Sequence, residues 1–144
     1  MKIDFTTGQK IFVALTCFAI AVIGFMVKLP SGFRHVDKEL HAAFYFLAAA
    51  LLNVFFARTN FIRHAIIFAS LYFFGMAIEY AQAYSNRFYR SPIHGRFDPE
   101  DMQWNFKGLM AFSAVWIVLT LALLAYKRTT RQGDQYRSEK TQVD

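Results

Sequence analysis

Acidic, amide and imidazole side chains recur in this chain at spacings that place them on single helical faces, inside stretches that are otherwise apolar. In "HVDKELHAAFYF" Asp37, His41 and Tyr45 follow one another every four residues. Glu79 is the lone charge of "SLYFFGMAIEYAQAY", and Gln82 follows it at i+3 on the same face. "FDPEDMQWNFKGLMAF" sets Asp101, Asn105 and Gly108 at i, i+4 and i+7, again one stripe.

Such groups support two kinds of chemistry. Carboxylates and amides accept hydrogen bonds from sugar or amide groups, while a neighbouring guanidinium takes a phosphate or carboxylate bidentately. One imidazole with two or three carboxylates, here His41 with Glu79 and Asp101, instead suits a divalent cation of hard or intermediate character, or a division of acid and base roles. No H-E-x-x-H is present, and no Ser or Cys nucleophile stands beside a base, so no cofactor is expected outright and binding is preferred to catalysis. Each residue also has a plainer use. Asp37 and Asp101 suit the first turn of a helix as charges that complement its dipole. His41 and Tyr45 suit hydrogen bonding or packing at an interface. Glu79 can snorkel toward water, and Asn105 and Gly108 can join helices.

The elements that carry these residues follow from composition. Of 144 residues 56% are hydrophobic and 18% aromatic, which is too apolar for a small soluble domain. The apolarity is concentrated in four runs, Ile11 to Val27, Leu40 to Ala57, Ala65 to Tyr84 and Gly108 to Tyr126. Each is close to the roughly 20 residues that span a bilayer core as a helix. Pro30, Pro92 and Pro99 all fall outside them, where they break nothing. The sequence therefore predicts an all-α polytopic membrane protein, a bundle of four transmembrane helices over about 9–29, 38–57, 62–85 and 100–127. These form one membrane domain, 1–127. The polar segment 128–144 is expected to be disordered or a frayed extension of the last helix. Asp98 before Pro99 predicts the N-cap and first position of the fourth helix.

Lys2 and Lys10 ahead of an apolar core resemble a secretory signal, but the run ends in "MVKLPSG" and is read as retained. Cys17 is the only cysteine, so no intrachain disulfide can form. The net charge of +6 comes from residues between and after the apolar runs, which favours anionic lipid headgroups over nucleic acid as partners. Four spans put both termini on one side. Lys2, Lys10, Arg58, Arg63, Lys127, Arg128, Arg131, Arg137 and Lys140 lie there, nine against the seven of the other side, Lys28, Arg34, Lys38, Arg87, Arg90, Arg96 and Lys107. The excess of positive charge makes that side, and both termini, cytoplasmic. Glu79, the start of the second helix and the start of the fourth then meet at the outer boundary, below the loop "SNRFYRSPIHGRF" with its Arg87, Arg90, His94 and Arg96. The expected site is a polar pocket on the extracytoplasmic side, with a lipid headgroup or lipid-linked molecule as its ligand. Self-assembly into a homo-oligomer through the polar stripe is a further expectation.

"DKELHAAFYFLAAALL", "EYAQ" and "GRFDPEDMQWNFKG", in that order, resemble the VanZ-like family of small bacterial membrane proteins over roughly residues 10 to 126. Its pattern runs D-K-x-x-H, E-x-x-Q, then an arginine-bearing loop and D-x-x-x-N-x-x-G. Asp37, Lys38, His41, Glu79, Gln82, Asp101, Asn105 and Gly108 match it, and Arg96 is favoured for the loop position. Phe112 departs from it, standing where members often carry a second small residue. The resemblance implies a location in the bacterial cytoplasmic membrane and a cell-envelope role, the family being named for resistance to the glycopeptide teicoplanin. It assigns Asp37, His41, Glu79, Gln82, Arg96, Asp101 and Asn105 to the site and Gly108 to helix packing.

Overall fold

The computed structural model describes residues 5–26, 36–88 and 97–143, and among these it is helical throughout its regular structure, with no strand. Four helices follow in order: α1 (Thr7–Met26), α2 (Asp37–Leu52), α3 (Phe61–Ser85) and α4 (Pro99–Val143). All four are long and apolar enough to cross a membrane. Their outward faces agree with that reading. Phe12, Leu47, Ile62 and Phe73 are largely exposed, an apolar surface that water would penalise and lipid accepts.

Local chemistry sets the helix starts. Thr6 and Gln9 form a reciprocal capping box on α1: the Thr6 amide donates to Gln9 Oε1 at 2.9 Å, and the Gln9 amide to Thr6 Oγ1 at 3.3 Å. Asn60 caps α3 by accepting from the Arg63 amide at 2.9 Å. Asp98 caps α4, accepting from the Glu100 amide at 2.8 Å, with Pro99 at the first helical position as its sequence requires. For α2 the preceding Val36 makes no side-chain cap, so Asp37 is a first-turn charge rather than an N-cap.

The end of α2 departs from the expected continuous helix over 38–57. The chain widens into a π turn, Asn53–Ala57, closed by the Arg58 amide on the Asn53 carbonyl at 2.8 Å. Asn53 Nδ2 donates to the Ala49 carbonyl at 2.8 Å, and Arg58 takes a positive φ of 53° to reverse the chain into α3. With so short a connection α2 and α3 run antiparallel.

Two compact units divide the chain, Met1–Phe112 and Ser113–Asp144. The first holds α1, α2, α3 and the opening turns of α4. Its buried residues recur at helical spacing: His41, Tyr45, Ala48 and Ala49 on α2; Leu71, Gly75, Ile78 and Gln82 on α3; Asn105, Gly108, Leu109 and Phe112 on α4. Small residues at these positions let backbones approach. Phe112 is buried among them, edge-on to Phe46 at 5.6 Å.

The second unit is the remainder of α4, with Ser113, Trp116 and Thr120 buried along one face. Helix continues to Val143, so of the two expectations for the tail, disorder or an extension of the last helix, it is the extension that the described residues adopt. The arginines, glutamines, Glu139 and Lys140 there are good helix formers. Thr129 and Thr130 do not break the helix because their hydroxyls donate back to the carbonyls of Ala125 and Tyr126, at 3.1 and 2.8 Å.

Candidate functional site

Antiparallel α2 and α3 bring the first turns of α2 beside the last turns of α3, and the C-terminal end of α1 and the N-terminal turns of α4 join them. Phe25, near the end of α1, has its ring 4.7 Å from that of His41, and its carbonyl accepts from Gln82 Nε2 at 2.7 Å. Gln82 therefore satisfies one of the carbonyls that a helix leaves unpaired at its C-terminus.

His41 and Asn105 form the centre of the cluster. Both are buried, and His41 Nδ1 lies 2.8 Å from Asn105 Oδ1. A carbonyl oxygen only accepts, so Nδ1 carries the proton and Nε2 is left to face elsewhere. What it faces is Asp101, whose Oδ2 is 3.9 Å away. That distance is too long for a hydrogen bond. Asp101 and His41 are both nearly enclosed, with side chains 13% and 6% exposed. Asp37, one turn before His41, completes a group in which Asp37, His41 and Asp101 each offer a ligand atom, all within 4.8 Å of one another. These three residues are able to hold a metal ion by spacing and donor type.

Glu79 adjoins them from α3. It is 1% exposed. Its Oε2 accepts from the Asp98 backbone amide at 3.1 Å, and its Oε1 is buried without a hydrogen-bond partner among the described residues. Asp101, His41 and Asp98 are its titratable neighbours. Gly75, one turn earlier, is the floor of this arrangement: a β-carbon there would lie 2.9 Å from both the Tyr45 hydroxyl and Asn105 Nδ2. Tyr45 is buried and holds its ring against Phe44 and Phe25.

Of the residues named from sequence, His41, Glu79, Asp101 and Asn105 come together with Asp37 at the edge, and Gln82 sits one turn further along α3 on the α1 carbonyl. Gly108 lies against the α2 backbone at Ala42. Arg96, with Arg90 and His94, lies outside the described residues. Arg87 is exposed and stands over the Tyr84 ring at 5.5 Å. Lys38 pairs with Glu100 at the rim.

Sequence reasoning did not find two features. The Asp98 amide is a main-chain donor and carries no side-chain signal. Buried Asn53 and His64 form a second pair at the other end of α3, His64 Nδ1 lying 2.8 Å from Asn53 Oδ1. The isolated Asn53 within "LLNVFF" was the signal available for it. A surface depression lined by Phe56, Arg63, Ile66 and Ile67 lies at that same end, away from the acidic cluster.

Comparison of the chain with protein-family models, with curated proteins and with solved structures found no match in any of the three.

Proposed function

We propose that the chain is a multi-pass protein of the bacterial cytoplasmic membrane that binds an envelope ligand through an outward-facing polar pocket. The ligand is a lipid headgroup, a lipid-linked precursor or a lipophilic glycopeptide. The observation that carries the reading is Glu79, almost wholly enclosed and with one oxygen lacking a donor among the described residues. Keeping a half-satisfied carboxylate buried is costly, and ionisable groups retained within membrane spans characteristically mark ligand or ion sites. The resemblance to the VanZ-like family supports an envelope role and, with it, a contribution to glycopeptide resistance of the teicoplanin type. In this reading His41, Asn105, Asp37 and Asp101 surround Glu79, Gln82 fixes α1 beside them, and Arg96 takes the anionic part of the ligand. Both termini are cytoplasmic.

The test is growth of a deletion strain on a panel of cell-wall-active and membrane-active antibiotics. Sensitivity should be rescued by the wild-type chain and not by Glu79→Ala present at equal membrane levels. Rescue by Glu79→Ala overturns the reading.

A second reading is a metal-assisted membrane enzyme acting on a lipid-linked substrate. The grouping of Asp37, His41 and Asp101 favours it.

A further inference from the structure

We propose that Asp37, His41 and Asp101 bind one divalent cation of intermediate character, Mn²⁺ or Zn²⁺, with Asn105 as the residue that positions the imidazole. The inference rests on the reading of this cluster as the functional site, and adds what the site holds.

Three independent features lead to it. First, the ligand atoms of the three residues already lie within 4.8 Å of one another, although they come from two helices far apart in the sequence, Asp37 and His41 on α2 and Asp101 on α4. Second, the His41 tautomer is set for metal binding. Its Nδ1 proton is given to Asn105 Oδ1, which leaves Nε2 as the ring atom directed at the Asp101 carboxylate, 3.9 Å away and too far for a hydrogen bond. A ligating histidine nearly always donates its other ring N–H to a carbonyl or carboxylate in this way. A tetrahedral cation about 2.1 Å from each ligand would place two ligand atoms roughly 3.4 Å apart, so the His41 and Asp101 pair at 3.9 Å needs a shift of about half an ångström, and the three atoms, all within 4.8 Å of one another, need at most about 1.4 Å between any two. Third, Glu79 stands beside the group with Oε1 buried and in want of a donor among the described residues. A water on the cation would supply that donor.

The charge balance agrees. Asp37, Glu79, Asp98 and Asp101 gather here, and the nearby described cation Lys38 is paired with Glu100. A cluster of that sign repels a phosphate or carboxylate ligand, whereas a bound dication would attract one. One imidazole with two carboxylates matches Mn²⁺ or Zn²⁺, and offers nothing to a thiolate-preferring ion.

The experiment uses the full chain, purified in detergent with a tag free of histidine and treated with EDTA. Mn²⁺ is titrated with the free ion followed by electron paramagnetic resonance, and Zn²⁺ is then added as competitor. One saturable site per chain is expected. Asp101→Asn and His41→Gln should each weaken it at least tenfold, and Asn105→Ala by about 10- to 100-fold through the lost orientation of the ring. His64→Gln, at the other end of α3, should leave it unchanged. Size-exclusion profiles of the variants establish that each is folded. Absence of a saturable site in the folded wild type overturns the proposal, as does binding that survives both Asp101→Asn and His41→Gln, or that His64→Gln abolishes equally. The two readings separate cleanly. Antibiotic sensitivity dependent on Glu79 without Mn²⁺ binding keeps the envelope role and removes the cation. Mn²⁺ binding with no phenotype for Glu79→Ala does the reverse.

Discussion

Gly108 lies so close to Ala42 that a β-carbon on it would come within 2.2 Å of the Ala42 carbonyl oxygen and 3.0 Å of its Cα. The obstacle is backbone, which cannot rotate aside, so α2 and α4 meet here only because residue 108 has no side chain. Gly108→Ala should therefore force the helices apart, at a cost of about 1–3 kcal/mol for overpacking. Gly24→Ala is the control, since nothing lies within 4 Å of its added carbon. Thermal unfolding in detergent distinguishes them: a lower midpoint is expected for the first and little change for the second.

Glu79 accepts a hydrogen bond that a glutamine could also accept. Glu79→Gln keeps a carbonyl for the Asp98 amide, whereas Glu79→Ala leaves that amide without its partner. Loss of such a buried partner costs about 1–3 kcal/mol. Unfolding midpoints should thus place the alanine variant below the glutamine one, and equal midpoints would show the Asp98 bond to be inconsequential.

The Asn53 and His64 side chains should be energetically coupled and functionally silent. A double-mutant cycle with Asn53→Leu and His64→Leu should give an interaction of about 0.5–3 kcal/mol, because the two share a buried hydrogen bond. Neither substitution should alter the antibiotic phenotype, the pair lying at the opposite end of α3 from Glu79.

Ser113 is buried with its hydroxyl unpaired among the described residues. Removing an unsatisfied polar atom is nearly neutral or favourable. Ser113→Ala is expected to leave the unfolding midpoint unchanged or to raise it, and a clear fall would mean that the hydroxyl has a partner.

Sidedness is open to labelling. In a Cys17→Ser background, cysteines at Thr59 and Phe97 flank α3 on either side of its candidate span. An impermeant maleimide added to intact cells should label position 97 and spare position 59; the opposite pattern reverses the topology.

Much of the arrangement was legible because helical spacing is. Asp101, Asn105 and Gly108 fall on one face at any register of α4, and a lone glutamate in "FFGMAIEYAQAY" needs a polar setting wherever it sits. What escaped depends on main-chain atoms or on irregular backbone. Gln82 meets the Phe25 carbonyl, and Glu79 the Asp98 amide, and neither partner has a side-chain signature. His64 reads as a boundary residue just ahead of an apolar run, and it is the π turn at Asn53–Ala57 that brings Asn53 to it. The tail lacks an apolar period, yet it continues α4 to Val143, and the hydroxyls of Thr129 and Thr130 find their acceptors on carbonyls of that same helix.

The amide that holds Glu79 belongs to the main chain, and so it is indifferent to which residue occupies position 98. Drift there would alter the cap of α4 and leave the grip on the carboxylate intact, with proline the exception, since it has no N–H to give. Half of this contact is thus written in geometry alone, and only position 79 records it in the genetic text.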